Sequence, residues 1–243
     1  MADQGSQLPQ APLAPAVEIA EKPSLSGKIT LTGIEASSLR KVVDVGGNPF
    51  CTGHGEIIDP SWKVAADGGL ANVVVTVEGS PRASNVPATS PLVDQTHCEF
   101  VPNTLALQPG QVVRFHNSDL TFHNIRIARH QPGTSHGGEN LANLAQASQG
   151  DANDETFSVP GIYRLECDVH RWMKAWIYVH DGIHSTVTAA DGTYTINRSL
   201  ADGSYTVKAW HPQFAEPLSQ QVTISKGTAT ADFTFAHAKA FQL

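Results

Sequence analysis

Short strand-like runs separated by turn residues recur along this chain, and they constrain its fold more than any other feature. Between residues 92 and 180 the runs follow one another at intervals of about 8–12 residues, which is typical of a β-sandwich or a β-barrel. Further along, Asp191-Gly192 and Asp202-Gly203 are strong hairpin signals. No segment requires a helix, although residues 142–149 are predicted to be a short helical or irregular stretch. The sequence therefore predicts an all-β protein.

Net charge and the lack of a long apolar segment argue against two classes of protein, those that bind nucleic acid and those that span a membrane with a helix. With 243 residues, of which 40% are hydrophobic and 16% charged, the chain is long enough for one large or two small domains. Its net charge of -7 argues against nucleic acid as a partner. No apolar stretch approaches the roughly 20 residues of a membrane-spanning helix, so we expect no membrane span.

Residues 1–24 are predicted to be a flexible leader. They are rich in Ala, Pro and Gln, and they lack both the basic segment and the apolar segment of about 7–15 residues that mark a signal peptide. Such a start fits the mature end of an exported protein whose signal peptide has been removed. A cytoplasmic protein is the plainer alternative.

A cluster of soft ligands lies between two strand-like runs in the second half of the chain. Cys167, His170 and Met173 occur at three-residue intervals, so a tight turn between strands can aim all three side chains at one point. A thiolate, an imidazole and a thioether suit copper that cycles between its two oxidation states. Phe122-His123-Asn124-Ile125 is the best-placed source of a second imidazole. The chain has too few thiols for a four-cysteine zinc site.

The state predicted for the two remaining cysteines depends on the role of Cys167. If Cys167 binds a metal, Cys51 and Cys98 are left as a pair, which fits a disulfide formed in an oxidising compartment. Two unrelated buried thiols are the alternative, because nothing in the sequence fixes the distance between them.

The central part of the chain resembles a known family. Residues 93–179 look like a cupredoxin, the Greek-key β-sandwich that carries type 1 (blue) copper. The stretch Cys167-Asp168-Val169-His170-Arg171-Trp172-Met173 is similar to the short C-x-x-H-x-x-M ligand loop of the amicyanin and pseudoazurin kind. The whole chain also resembles bacterial methylamine-utilization-like, plastocyanin-like proteins. The matching features are Asp94-Gln95 with Cys98 and Pro102, Asn117-Ser118-Asp119, the ligand loop, and Ala209-Trp210-His211.

The resemblance implies a ligand set. His123, Cys167 and His170 would form a trigonal site for one type 1 copper ion, with Met173 as the weak axial ligand. Asn124 would tie the two ligand loops together. In this family the second histidine of the set lies at the surface, so we expect His170 to be exposed. Trp62, Trp172 and Trp176 are candidates for an apolar docking patch around it, although for Trp176 we favour core packing.

The flanking segments resemble a second domain. Residues 192–196 and 202–207 are similar to the second half of a carboxypeptidase-regulatory-like (transthyretin-like) β-sandwich, and residues 27–33 and 72–77 to its first strands. We therefore predict a cupredoxin domain over residues 92–181, inserted into a transthyretin-like sandwich. The alternative is three consecutive β segments. The predicted segments of the outer sandwich are residues 25–80 and 182–236.

The resemblance implies a protein that carries one electron between redox partners, such as a c-type cytochrome or a dehydrogenase, and we expect it to be periplasmic or otherwise exported. Four protein ligands leave no position for a substrate, so we do not expect an enzyme. A multicopper or nitrite-reductase enzyme would need further His-x-His pairs, which this sequence lacks. The alternatives are a copper-delivery protein without an electron-transfer role and a structural scaffold with a vestigial site.

Overall fold

The computed structural model describes residues 24–81, 86–131, 134 and 138–241. In these ranges the chain forms 17 strands and three short helices, which confirms the all-β prediction. The predicted leader lies outside the described residues except for Ser24. No helix in the described ranges is long and apolar enough to span a membrane.

The elements follow one another in chain order. The first are β1 (Leu25–Thr32), α1 (Ala36–Leu39), α2 (Pro49–Thr52), β2 (Val74–Val77), β3 (Leu92–Thr96), β4 (Glu99–Val101), β5 (Thr104–Leu107), β6 (Gln111–Asn117), β7 (His123–Arg129), β8 (Glu139–Gln146) and β9 (Ala152–Phe157). The remainder are β10 (Gly161–Glu166), β11 (Lys174–Val179), β12 (Ser185–Val187), β13 (Thr193–Ile196), β14 (Gly203–Trp210), β15 (Leu218–Ile224), β16 (Ala229–Thr230), β17 (Phe233–Ala236) and a 3-10 turn, His237–Lys239.

Two sheets form the central unit. One has the strand order β4-β3-β6-β9, and the other has the order β5-β11-β10-β7-β8. Along β6, Val113 and Phe115 are buried while Arg114 between them is exposed, which is the alternation expected of a strand with one face on a core. Side chains from both sheets join in one apolar core that includes Phe115, Ile125 and Leu165. This core reaches the ligand loop, because Cys167 belongs to it.

The strands outside the central unit pair with one another. In the described ranges β1 pairs with β13, β16 and β17, whereas β2 pairs with β12 and β14. Among the described strands, those of the central unit (β3 to β11) therefore pair only with one another, and so do the remaining strands (β1, β2 and β12 to β17). A second apolar core, which includes Leu25, Val75 and Val207, brings the early and late segments together. The insertion of one sandwich into the other remains our interpretation of these partners.

Two local predictions differ from the structure. Residues 142–149, predicted to be helical or irregular, lie largely in β8, whose mostly exposed residues do not show a clear polar–apolar alternation. The sequence also predicts a loop over residues 51–55, but this stretch begins inside α2. Asn48 caps this helix and Pro49 is its first residue, a combination that favours a helix start.

The turn at Asp191-Gly192 packs closely against the early part of the chain. Gly192 has a φ of +79°, and a Cβ atom there would lie 2.4 Å from the carbonyl oxygen of Ile29 and 2.7 Å from the amide nitrogen of Leu70. This contact leaves no room for a side chain.

We expect Gly192→Ala to lower the free energy of unfolding by at least about 2 kcal/mol more than Gly33→Ala. Gly33 is the matched control because its φ is +83° and a Cβ atom there would meet no other atom within 4 Å. Both variants therefore carry the left-handed backbone strain, and only Gly192→Ala adds the clash with Ile29. Denaturant titration of the two variants measures the difference, and equal losses would show that the turn is not tightly packed.

Candidate metal centre

The loop that joins β10 to β11 brings its three predicted ligands close together. The two strands form an antiparallel hairpin in which Glu166 pairs with Lys174 at the loop end. The backbone N–H of Cys167 donates to the carbonyl oxygen of Met173 at 3.3 Å, and the N–H of Met173 donates to that of His170 at 2.8 Å. These hydrogen bonds close the loop and bring Cys167, His170 and Met173 near one another.

His123 joins this loop from the neighbouring strand. It is the first residue of β7, which pairs with β10. Sγ of Cys167 lies 3.9 Å from Nδ1 of His123 and 3.8 Å from Nδ1 of His170, and the two Nδ1 atoms are 2.9 Å apart. All three side chains are at most 1% exposed. Met173 is equally buried and packs in the same core cluster as Cys167.

The donor set fits copper. A buried thiolate with two imidazoles is the trigonal set that copper electron-transfer sites use, with a thioether as the weak fourth ligand. Burial opposes ionisation of Cys167, but hydrogen bonds with His123 and His170 outweigh it and lower the pKa of the thiol to about 6. This shift favours the thiolate, which is the form that binds a metal.

Asp119 contacts the ring nitrogen of His123 that faces away from Cys167. Its Oδ2 atom lies 2.9 Å from Nε2 of His123, so Nδ1 on the other side of the ring faces Cys167. Oδ1 accepts from the backbone N–H of His97 at 2.7 Å, and Oδ2 also accepts from that of Cys98 at 2.8 Å. Burial opposes ionisation of Asp119, but these hydrogen bonds outweigh it, and its pKa lies below the usual value. Burial opposes protonation of His123, but its interactions with Asp119 and Cys167 together outweigh it, and the pKa of His123 is raised.

Asn124 connects the two ligand loops. Its Oδ1 atom accepts from the backbone N–H of Asp168 at 2.8 Å and lies 3.4 Å from Sγ of Cys167. Its amide group donates to carboxylate oxygen Oδ2 of Asp168 at 2.8 Å. Asp168 also receives a hydrogen bond from Nε of Arg126 at 2.8 Å. Asn124 therefore links the start of β7 to the loop that follows Cys167.

His170 is not exposed, and this expectation from the resemblance is wrong. The side chain is 1% exposed, because the segment before and within α2 lies against it. The amide nitrogen of Asn48 is 2.9 Å from Nε2 of His170. A disulfide between Cys51 and Cys98 fixes α2 to the turn after β3. This covering segment lies outside residues 93–179, the stretch that resembles the family.

Only one of the three candidate tryptophans lies at the site. The ring of Trp172 is 5.2 Å from that of His170, and its indole N–H donates to the carbonyl oxygen of Cys98 at 2.9 Å. Trp62 packs in the outer core instead, with its ring 5.2 Å from that of His211. Trp176 is 8% exposed and packs against a tryptophan of β14, as core packing predicts.

Sequence reasoning gave no role at the site to two residues. The sequence predicts turns at Gly46-Gly47-Asn48-Pro49 and at Asn117-Ser118-Asp119, and a turn by itself gives no reason to place Asn48 or Asp119 beside an imidazole. An acidic side chain four residues before a candidate ligand is a weak signal for Asp119. For Asn48 the only local signal is its role as a helix cap, which says nothing about His170.

Residues 88–180 match the family model described as "Copper binding proteins, plastocyanin/azurin family". This range contains His123, Cys167, His170 and Met173 and indicates copper as the metal. It ends before the strands β12 to β17, and it begins after Cys51 and the segment that covers His170.

Solved structures of copper proteins are similar to parts of the chain. Amicyanin from Paracoccus versutus is 20% identical over 44% of this chain and 97% of its own length, with a TM-score of 0.33. A copper-containing nitrite reductase from Thermus scotoductus SA-01 is 18% identical over 64% of this chain and 28% of its own length, also with a TM-score of 0.33. Similarity at this level carries no argument about activity or partners.

Proposed function

We propose that this chain is an exported one-electron carrier with a single type 1 copper site. The observation that carries the proposal is the buried triangle of Cys167 Sγ and the Nδ1 atoms of His123 and His170. Met173 would be the weak axial ligand. Copper bound there supplies a one-electron couple between its two oxidation states.

The surrounding residues would keep the geometry constant during electron transfer. Asp119 fixes the ring of His123, and Asn124 holds the backbone after Cys167. Because the three donors are at most 1% exposed, water does not compete for the site. Four protein ligands leave no place for a substrate, which supports a carrier over an enzyme.

Features outside the ligand set support export and a protein partner. The disulfide between Cys51 and Cys98 is typical of an oxidising compartment such as the periplasm. Leu120, Phe122 and Val169 belong to the two ligand loops and are 75%, 41% and 52% exposed. Exposed apolar side chains are common where another protein docks. A c-type cytochrome or a dehydrogenase is the kind of redox partner that we propose.

We further propose that this carrier domain, residues 92–181, is inserted into a transthyretin-like sandwich built from residues 25–80 and 182–236. The pairing of β2 with β12 and β14 supports this arrangement. The outer sandwich would then hold the carrier domain by both of its ends.

Loading the chain with Cu(II) tests the electron-carrier proposal. We expect an intense thiolate-to-copper absorption band and reversible one-electron cycling, because the thiol of Cys167 is the donor responsible for the band. Cys167→Ser should abolish the band. Met173→Leu is the matched variant, since it removes only the axial donor and should keep the band while changing the reduction potential. A colourless, tight Cu(I) complex of the unaltered chain would favour copper delivery, and a band that survives Cys167→Ser would refute the assignment.

A further inference from the structure

We propose that Cys51, Cys98 and His170 form a second metal site, for a zinc ion, when the Cys51–Cys98 disulfide is reduced. One possible ligand atom from each of these three residues lies within 4.8 Å of those of the other two. The three side chains are at most 1% exposed, so the donors lie together inside the fold. This site goes beyond the proposed copper centre, although both would use His170.

The disulfide holds two of the three donors, and its reduction releases them. A dithiol reductant breaks the S–S bond, supplies two electrons and two protons to make two thiols, and closes its own disulfide. A newly made chain carries the same two thiols before its disulfide has formed. Zn²⁺ then replaces both thiol protons, which pass to the solvent, and it forms two Zn–S bonds and one Zn–N bond.

The charge of the cluster favours a divalent ion over Cu⁺. Two thiolates carry two negative charges, so Zn²⁺ with a neutral imidazole gives a neutral site, whereas Cu⁺ would leave one negative charge uncompensated. Such a charge is costly among buried side chains. The carboxylate of Asp119, which lies within 4.8 Å of Sγ of Cys98, would add to that cost. Thiolate and imidazole are ligands that zinc sites use, and a water molecule completes the four-coordinate shell.

His170 offers this site the nitrogen that the proposed copper centre does not use. Its Nδ1 atom faces Sγ of Cys167, whereas Nε2 lies 2.9 Å from the amide nitrogen of Asn48. The amide oxygen of Asn48 already accepts from the backbone N–H groups of Phe50 and Cys51, so the amide N–H points at His170. Because an N–H group only donates, Nε2 carries the lone pair that a metal ion binds. Zinc would take the place of this N–H group.

The segment that carries Cys51 can make room for the ion. Two sulfur atoms on one zinc ion lie about 3.8 Å apart, because each Zn–S bond is about 2.3 Å long and the angle is near tetrahedral. The sulfurs must therefore separate when the metal replaces the disulfide. Helix α2 has only four residues, so its own hydrogen bonds give it little stability, and Thr52, Gly53 and His54 are exposed. A small shift of α2 would separate the two sulfurs.

Zinc and copper would compete for His170. An imidazole that binds a metal through one nitrogen normally keeps a proton on the other, so His170 serves one site at a time. In the disulfide form neither Cys51 nor Cys98 is a thiolate, so zinc loses both of its anionic ligands and His170 is left to copper. The state of the disulfide would therefore decide which metal the chain takes.

Cys167→Ser is the background for the test, because it removes the thiol of the proposed copper centre. The full-length variant is reduced with a phosphine, which takes oxygen from water as it becomes a phosphine oxide, and is titrated with Co²⁺ in the absence of air. We expect one equivalent of Co²⁺ to bind with an intense thiolate-to-cobalt band, which Zn²⁺ then removes. The same variant with its disulfide intact should give no such band.

His170→Ala and His54→Ala, each made in the Cys167→Ser background, identify the third ligand. His54 is the matched control, because its imidazole is three residues from Cys51 but exposed. We expect His170→Ala to weaken zinc binding by at least about 100-fold, since loss of a partner that only supports a ligand already costs about 10–100-fold. His54→Ala should leave zinc binding unchanged. NMR gives an answer without removing His170, because its ring nitrogen resonance should shift when Zn²⁺ is added to the reduced Cys167→Ser variant.

Two outcomes would overturn this inference and leave the copper proposal intact. One is the absence of a thiolate-to-cobalt band in the reduced variant. The other is zinc binding that neither weakens in His170→Ala nor shifts the His170 resonance, because the two thiols would then bind the ion without this imidazole. Failure of the unaltered, disulfide-bonded chain to bind copper would overturn the proposed function alone.

Discussion

Replacing Cys51 and Cys98 together by alanine is expected to lower the free energy of unfolding of the metal-free chain by about 4 kcal/mol. The two residues are 47 positions apart, and the cross-link removes the corresponding loop entropy from the unfolded chain. Both side chains are 0% exposed, so alanine is preferred to serine, which would bury an additional hydroxyl group.

Denaturant titration of the metal-free protein measures this loss. Treatment of the unaltered chain with a dithiol reductant should reproduce it, while the same reductant should leave the double variant unchanged. Amide hydrogen exchange should increase first in α2, because the disulfide is its main anchor. A loss below about 1 kcal/mol would show that α2 is held against His170 by its packing rather than by the disulfide.

The local part of the site could be predicted from the sequence. Cys167 and His170 lie in one short loop, and a turn between two paired strands leaves few ways to arrange them. His123 could be added because the sequence around it resembles the upstream histidine motif of a known family, and the structure brings its Nδ1 atom within 3.9 Å of the thiol. Short-range spacing and a family pattern were sufficient to predict that these three side chains lie close together.

The supports of the site could not be predicted in the same way. Asn48 is 122 residues away from His170, and the two meet because a segment with a four-residue helix, a disulfide and several core-packed apolar side chains folds over the ligand loop. The burial of His170 has the same origin. A family resemblance predicts only the features that family members share, so it predicted an exposed His170. In this chain the segment before and within α2 covers that histidine.

Strand assignment succeeded where the sequence alternates and failed where it does not. In β6 the alternation of buried and exposed residues marks the strand directly. In β8 most side chains are exposed, and the strand exists because its backbone pairs with β7. Such an edge strand is specified by its neighbour rather than by its own pattern, and local propensity does not report it.

A buried histidine is expected to make this protein strongly sensitive to acid. His211 is 1% exposed, with aromatic rings of Trp62 and Phe214 near its imidazole. Burial lowers the pKa of His211 to about 3, against a usual value of 6.5. The unfolded chain therefore binds a proton as the pH falls through 6.5, and the folded chain does not. The contribution to stability is complete above pH 6.5 and is lost as the pH falls toward 3, by about 1.4 kcal/mol per pH unit and about 5 kcal/mol in all.

The variant His211→Asn should remove this part of the pH dependence. An asparagine Oδ1 atom can accept the hydrogen bond that the backbone N–H of Gln213 donates to Nδ1 of His211 at 3.3 Å, and it does not titrate. Free energies of unfolding measured between pH 7 and pH 4 should fall less steeply than in the unaltered chain, by up to about 1.4 kcal/mol per pH unit. His54→Asn, at an exposed site, is the control. Burial also lowers the pKa of His130 and His180, so a weaker slope of the same sign should persist in the variant. Equal slopes with and without His211 would mean that the folded chain admits a proton to this ring, and that the aromatic core around it opens more readily than its packing indicates.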